Sequence, residues 1–167
     1  IVIHGQGVHA ARPHMGIDPI LTGSAVVMAL QQIVSRRVDP VEPAVCSVTE
    51  FITDGTRNVI PTTVRIKGDV RSFDSAVSRQ VEAEMRRIAE ATAMAHGARA
   101  DVTYTREFIP TVNAHGPTEA ALRAAVAALG AEAVIADPAP IMPSEDFARF
   151  LAYVPGNFAF IGNGDGP

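Results

Sequence analysis

The stretch TTVRIKGDVRS, from Thr62 to Ser72, carries the clearest secondary-structure signal in the chain. Apolar or small residues alternate with polar ones along it, and the polar set is Thr63, Arg65, Lys67, Asp69 and Arg71. Because successive side chains of a strand point to opposite faces of a sheet, this period of two predicts a strand with one buried face and one wet face. The fold should therefore contain a sheet that is covered on one side.

The segments on either side of this strand complete a regular order of elements. The sequence predicts further strands at Ile1–His4, Ala44–Thr53 and Ala100–Ile109, and helices that begin at Asp18–Pro19 and at Asp74 or Ser75. The order β-α-β-β-α-β is that of the ferredoxin-like split βαβ pattern, a four-stranded antiparallel sheet with two helices on one face. We therefore predict an α+β fold with a ferredoxin-like domain over residues 1–110.

The rest of the chain, residues 111–167, has a different character. It predicts an Ala-rich helix from about Pro117 to Leu129, short strands at Ala133–Ile135 and Asn157–Ile161, and a short helix from Ser144. A segment of this size makes a poor core by itself. We interpret it as the C-terminal part of an incomplete α/β catalytic domain, and the chain as a fragment of a longer protein.

Composition excludes several kinds of partner. The 167 residues are 47% hydrophobic, and the formal net charge of -4 comes without a cluster of Lys or Arg, so the footprint of a nucleic-acid binder is absent. No apolar run approaches the roughly 20 residues that span a bilayer. The single cysteine, Cys46, cannot form an internal disulfide, which fits a reducing compartment. We expect a cytoplasmic protein that binds neither nucleic acid nor membrane.

Recognised motifs for metal or nucleophilic chemistry are absent from the sequence. The chain has five histidines and one cysteine, but none stands in an HExxH or CxxC arrangement. No G-x-S-x-G nucleophile elbow occurs, and the glycines of GQGVHA match neither phosphate-loop pattern. From spacing alone we predict no complete metal site in this chain.

Four polar residues are candidates for a functional role, and each has a second interpretation. His9 lies in the Gly-rich segment GQGVHAARPHMGIDP and is either a functional imidazole or a locally packed loop histidine. Asn58 is either a ligand contact or a turn-capping amide. Arg71 suits a carboxylate ligand, but a solvated charge on an open sheet face explains it equally well. Glu145 is either a cleft residue or an acid stabilised by a helix dipole. The residues alone leave these alternatives open.

Three segments together resemble the metal-dependent amidohydrolases of the aminoacylase, hippurate hydrolase and auxin-conjugate hydrolase group. They are GQGVHAARPHMGIDP, GTRNVIPTTVRIKGDVRSFD and MPSEDFARFLAYVPGNFAFIGNG, and they stand in a compatible order over nearly the whole chain. The resemblance implies a di-metal catalytic domain interrupted by a ferredoxin-like lid that also dimerises. Residues 1–110 would be that lid, and residues 111–167 the return of the chain into the catalytic domain.

The resemblance also implies roles for the four candidates. His9 matches a lid histidine that reaches an active site, commonly that of the partner subunit, and polarises the scissile carbonyl. Asn58 and Arg71 match substrate-binding positions, and Glu145 lies in a segment that borders the catalytic cleft. The ligands of two divalent ions, zinc or manganese, would lie outside this chain.

The function that we expect from the resemblance is hydrolysis of the amide bond of N-acyl amino acids or similar conjugates by a full-length homodimer. The fragment alone should be inactive, because it lacks the metal ligands. The alternative, from a different class, is a non-enzymatic dimerisation or binding module that retains the lid fold.

Overall fold

Four antiparallel strands form the sheet of the N-terminal part of the chain. The computed structural model describes residues 1–164. The chain divides between Thr105 and Arg106 into two compact units. The strands of the first unit are β1 (Val2–His4), β2 (Val8–His9), β3 (Ala44–Thr53), β4 (Val59–Ile60), β5 (Thr63–Ser72) and β6 (Arg99–Asp101). The sheet has the spatial order β3-β5-β1-β6, and β2 pairs with β4 in a separate two-stranded ribbon.

Three helices connect the strands of this unit, and the first and the last of them begin where the sequence predicts. They are α1 (Pro19–Leu30), α2 (Gln32–Arg36) and α3 (Ser75–Ala95). The Asp18 carboxylate accepts hydrogen bonds from the backbone N–H groups of Ile20 and Leu21, at 2.8 and 3.3 Å, and Asp74 caps α3 in the same way. These bonds satisfy N–H groups that have no partner within a helix. The first crossover, through α1 and α2, joins β1 to β3, and the second, through α3, joins β5 to β6.

The core lies between the helices and one face of the sheet. In β5, Val64 and Ile66 are buried while Arg65 and Lys67 are exposed. The buried side chains form one cluster, which consists of Ile3, Val26, Leu30, Ile33, Val38, Val64, Ile66, Val77, Val81, Ile88, Ala89, Ala93 and Ala100. The prediction of a sheet covered on one side is therefore confirmed.

The last strand of the sheet is shorter than its alternating sequence predicts. The predicted strand at Ala100–Ile109 is realised only as β6, over Arg99–Asp101. Its partner β1 offers three residues for pairing, from Val2 to His4. β6 runs antiparallel to β1 with Asp101 opposite Val2, so the residues after Asp101 extend past the first residue of β1, and the strand pairing stops there.

The second unit is helical in its described part, residues 106–164, and contains no strand there. Its helices are α4 (His115–Leu129) and α5 (Phe147–Leu151), so the predicted Ala-rich helix is confirmed. The strands predicted at Ala133–Ile135 and Asn157–Ile161 are wrong, since no second strand pairs with either segment. Instead, the Asn113 side chain bonds both backbone groups of Phe158, accepting from its N–H at 2.8 Å and donating to its carbonyl at 2.9 Å.

The short helix of this unit also begins later than predicted. The sequence favours a start at Ser144, but α5 begins at Phe147, and Asp146 occupies the N-cap position without a side-chain capping bond. Glu145 therefore lies before the helix and not in its first turn, so the helix-dipole explanation for this acid does not apply.

Candidate functional site

The ribbon of β2 and β4 brings His9 and Asn58 together. Val8 pairs with Ile60 and His9 with Val59. One residue further on, the Ala10 N–H donates to the Asn58 carbonyl at 2.9 Å. Residues that are 49 positions apart in sequence thus become neighbours at the open end of the ribbon. The sequence predicted both as candidates but did not predict the ribbon that joins them.

The ribbon is tied to the sheet at its other end. The Gly5 N–H donates to the Thr62 carbonyl at 2.8 Å, and Gln6 and Ile17 exchange two backbone hydrogen bonds. A Cβ atom at Gly5 would collide with the Ile17 carbonyl oxygen, so only glycine permits this close approach. The loop that carries His9 is therefore held between the end of β1, the start of β5 and the entry to α1.

The His9 imidazole is exposed and oriented by its own loop. Its Nδ1 accepts a hydrogen bond from the Ala11 N–H at 3.1 Å. The Asn58 Oδ1 accepts a hydrogen bond from the Thr56 hydroxyl at 3.2 Å, and the donors of that amide are the N–H groups of Nδ2. His9, Gly7, Val8, Asp54 and the segment 59–62 line an open depression of about 390 Å³. The arrangement can donate hydrogen bonds to an oxygen atom of a ligand.

Arg71 lies at the opposite end of β5. The ribbon adjoins the Thr63 end of this strand, and Arg71 lies eight positions after Thr63. At about 3.3 Å per residue this is roughly 26 Å along the strand. The guanidinium of Arg71 instead contacts the Asp69 carboxylate, with Nε to Oδ2 at 2.6 Å. The structure therefore does not bring Arg71 to the site that holds His9 and Asn58.

Glu145 belongs to the second unit. Its side chain is half-buried, and its carbonyl accepts a bond from the Ala148 N–H at 3.3 Å as α5 begins. Its role in a substrate pocket stays a prediction.

The described residues do not fit a metal centre. Within residues 1–164, no three His, Cys, Asp or Glu side chains lie close enough together to hold a metal ion. The most concentrated set of charges that includes a histidine is on β1 and β6, where His4 Nε2 lies 2.9 Å from Asp101 Oδ2 and Arg99 contacts the same carboxylate. This set offers two ligand side chains and a competing cation, which is unsuited to a di-metal site.

Cys46 is also unsuited to nucleophilic chemistry. It lies on β3 and is half-buried, and burial raises the pKa of its thiol above the ordinary value. Since the thiolate is the reactive form, this shift disfavours reaction.

No helix in the described part of the chain is long and apolar enough to cross a membrane.

The groups that orient His9 and Asn58 carry little or no signal in the sequence. The Ala11 N–H is a backbone group, and an alanine carries no signal that its amide binds a side chain. Thr56 has a weak signal, because a hydroxyl two residues before an asparagine in a turn commonly bonds locally.

The site and fold together define a class of protein: an α+β domain that exposes polar side chains on a two-stranded ribbon, with no complete catalytic centre among the described residues. Comparison with known proteins identifies the family within this class. Residues 1–96 match the family model described as the peptidase dimerisation domain of the M20 type. The chain therefore belongs to the M20 peptidase family. The resemblance to metal-dependent amidohydrolases is confirmed.

Individual relatives extend the match beyond the first unit. The N-acetyl-L-cysteine deacetylase of Bacillus subtilis is 41% identical over 162 residues, which cover 97% of this chain and 38% of that protein. The N-acyl-L-amino acid amidohydrolase of Geobacillus stearothermophilus is 45% identical over 113 residues, or 68% of this chain and 30% of that protein.

A solved structure agrees with these relatives. The YXEP protein of Bacillus subtilis, a dinuclear metal binding peptidase of the M20 family, superposes with a TM-score of 0.65 at 29% identity, covering 94% of this chain and 39% of that one. The chain spans about two fifths or less of the length of the proteins it matches.

Proposed function

We propose that the full-length protein is a homodimeric, metal-dependent amidohydrolase of the cytoplasm that cleaves the amide bond of N-acyl amino acids or similar conjugates. The observation that carries this proposal is the exposed ribbon that places His9 opposite Val59, next to Asn58, in a chain that matches a deacetylase over 97% of its length. Two zinc or manganese ions would be held by residues outside 1–164, because the described residues offer no ligand set.

The two units correspond to two parts of that enzyme. Residues 1–110 are the lid, and the strand order β3-β5-β1-β6, with each crossover helix joining two parallel strands around an antiparallel one, supports a ferredoxin-like assignment. Residues 111–167 are the C-terminal part of the catalytic domain. The fragment alone is inactive in this proposal.

His9 stabilises charge on the carbonyl oxygen of the scissile amide. An imidazole N–H donor aimed at a developing oxyanion contributes about 3 kcal/mol, comparable to one oxyanion-hole donor. Asn58 lies beside it and donates a second hydrogen bond from its amide nitrogen. Together they orient an oxygen atom of the substrate without transferring a proton.

Arg71 serves a different active site of the dimer from the one that His9 and Asn58 serve. The roughly 26 Å of strand between the two ends of β5 exceeds the length of a small N-acyl amino acid, so one substrate molecule cannot contact both ends. In this arrangement each lid contributes His9 to the partner's site and Arg71 to the site of its own subunit, where the guanidinium binds the substrate carboxylate.

Paired variants of the full-length enzyme test both assignments. His9→Ala should lower kcat by about two orders of magnitude with zinc, manganese or cobalt supplied, while the matched control His14→Ala should not. An equimolar mixture of His9→Ala and Arg71→Ala subunits, allowed to exchange, should recover about a quarter of the wild-type activity, because about half of the dimers are mixed and each mixed dimer has one intact site of two.

Three outcomes would contradict the proposal. An unchanged kcat in His9→Ala removes His9 from the mechanism, and mixed dimers without activity place His9 and Arg71 in one site. A full-length protein that hydrolyses no N-acyl amino acid with any of these metals favours the alternative, a non-enzymatic dimerisation or binding module.

The second copy of the chain pairs along β3. This strand forms one edge of the sheet with ten residues, whereas β6 at the other edge has three. Its outer edge can pair with a symmetry mate about a two-fold axis, which satisfies the backbone groups that an open edge exposes. Helix α1 lies beside it, with the Phe51 ring packed over Gly23, and exposes Leu21 and Met28. Strand and helix form one apolar surface.

Charge reversal on that surface should dissociate the dimer. The double variant Leu21→Glu/Met28→Glu should sediment as a monomer at concentrations where the unmodified chain is a dimer, because two carboxylates would be buried at the interface. Met94→Glu, at a methionine of similar exposure on α3, is the matched control and should leave the dimer intact. Dimers that survive the double variant would exclude this face.

A further inference from the structure

The hydrogen bond between the Ala11 amide and the His9 ring determines which imidazole nitrogen carries the proton. The two atoms are 3.1 Å apart, with the N–H directed at Nδ1. A backbone N–H can only donate, so the ring atom that faces it must present a lone pair. A neutral imidazole has one donor nitrogen and one acceptor nitrogen, and the partner of one fixes the role of the other.

We propose that the Ala11 amide is a positioning group that holds neutral His9 in the tautomer with its proton on Nε2. The exposed nitrogen of the lid histidine is then a hydrogen-bond donor and not a base. It fits a ligand group that accepts, such as a carbonyl or carboxylate oxygen, and it cannot remove a proton from water or from an amine. The part that concerns the ligand rests on the proposed function, whereas the tautomer does not.

The loop holds the Ala11 amide in place through its neighbours on both sides. The Ala10 N–H donates to the Asn58 carbonyl at 2.9 Å, and the Arg12 N–H donates to the His9 carbonyl at 2.8 Å. Three consecutive amides therefore have defined acceptors, and the middle one points at the ring. Because β2 and β4 fix the backbone of His9 itself, both partners of the bond are anchored.

This constraint has a chemical consequence for His9. A proton can be added to the ring only at Nδ1, and adding it replaces the acceptor that Ala11 requires with a second donor. In a reaction, the Nε2 proton stays on the ring and strengthens its hydrogen bond as negative charge develops on the ligand oxygen.

The test is nuclear magnetic resonance of the ¹⁵N-labelled 167-residue chain at a pH of about 8.5, where an ordinary imidazole is neutral. Couplings between the ring protons and the two ring nitrogens identify the protonated nitrogen, and a coupling across the hydrogen bond joins the Ala11 and Nδ1 nitrogens. His9→Gln identifies the His9 signals among those of the five histidines. We expect an unprotonated Nδ1 and a measurable coupling to Ala11. A protonated Nδ1, or no coupling, would overturn the inference.

Two substitutions at position 11 separate the amide from the side chain. Ala11→Pro removes the N–H and should raise the population of the Nδ1-protonated tautomer, whereas Ala11→Gly keeps the N–H and should leave the tautomer as it is. Equal tautomer populations in the two variants would contradict the proposal. If the proline variant does not fold, the coupling in the unmodified chain decides the question.

These measurements do not depend on hydrolysis. An unchanged kcat in the His9→Ala enzyme would exclude the catalytic role of His9, but it would not affect the inference about the tautomer of the His9 ring. A His9 ring protonated at Nδ1 would exclude the positioning role of Ala11, and the catalytic role of His9 would still be tested by the kcat of His9→Ala.

Discussion

The two units of this chain bury their apolar side chains to very different extents. In the first, thirteen residues form one buried cluster between the helices and the sheet. In the described part of the second, residues 106–164, Ala148 is the only buried apolar side chain, while Ile135, Tyr153 and Ile161 are 80%, 88% and 95% exposed. The first unit holds its own core, whereas the apolar surface of the second supports the proposal that it packs against further polypeptide.

The largest expected effect is the difference in stability lost when an isoleucine is replaced by alanine in each of the two units. Ile66→Ala, at a side chain that is 2% exposed, should destabilise the chain by about 2 to 5 kcal/mol, because it removes buried methyl groups and leaves a cavity. Ile135→Ala, at 80% exposure, should change stability by less than about 0.5 kcal/mol. Urea unfolding of both variants measures the difference, and equal losses would show that Ile135 also belongs to a core.

A smaller effect compares the starts of two helices. Asp74 caps α3 by accepting from the Val77 N–H at 3.2 Å, whereas α4 begins after Ala114, which has extended backbone but no capping side chain. Asp74→Ala should cost about 1 kcal/mol, and Ala114→Ser should stabilise α4 by about 0.5 kcal/mol. Thermal unfolding monitored by circular dichroism measures both.

The control for the caps is Asp74→Asn, which keeps an acceptor and should retain most of the stability. A loss in Asp74→Asn as large as that in Asp74→Ala would show that charge, and not the capping bond, stabilises α3.

The smallest expected effect is a pH dependence on the surface of α3. The hydrogen bond from Arg87 is the main cause that holds the pKa of Glu84 below its usual value, with a further contribution from Arg37. A carboxylate with a lowered pKa stabilises the folded state above the pKa it has in the unfolded chain, and that contribution is lost as the pH falls through the folded value. The unfolding midpoint of Glu84→Gln should therefore be slightly below that of the unmodified chain at neutral pH, and the two midpoints should be equal in acid.

The matched control for this pH effect lies on the same helix. Glu90 is exposed and forms no ion pair among the described residues, so Glu90→Gln should leave the unfolding midpoint unchanged at both pH values. A difference between Glu84→Gln and the unmodified chain that persists in acid would exclude the ion pair as its cause.

The sequence predicted the first unit well where the signals are local. The alternation in β5 and the capping carboxylates Asp18 and Asp74 each depend on residues a few positions apart, and the structure contains all of them. Predictions that needed a distant partner were less accurate. The strand at Ala100–Ile109 was predicted too long, and the strands of the second unit are absent from its described residues, because strand length depends on the neighbour that is available for pairing.

The same difference between local signals and distant contacts holds for the candidate site. The residue types and the resemblance selected His9, Asn58, Arg71 and Glu145, and the family that the resemblance named is the family to which the chain belongs. Only the tertiary structure decided that His9 pairs with Val59 and so comes close to Asn58 in a two-residue ribbon, and that Arg71 lies at the far end of β5. It also decided that an alanine amide orients the His9 ring. Periodicity and capping depend on neighbouring residues, whereas the proximity of two residues 49 positions apart is set by backbone pairing between segments that no local pattern relates.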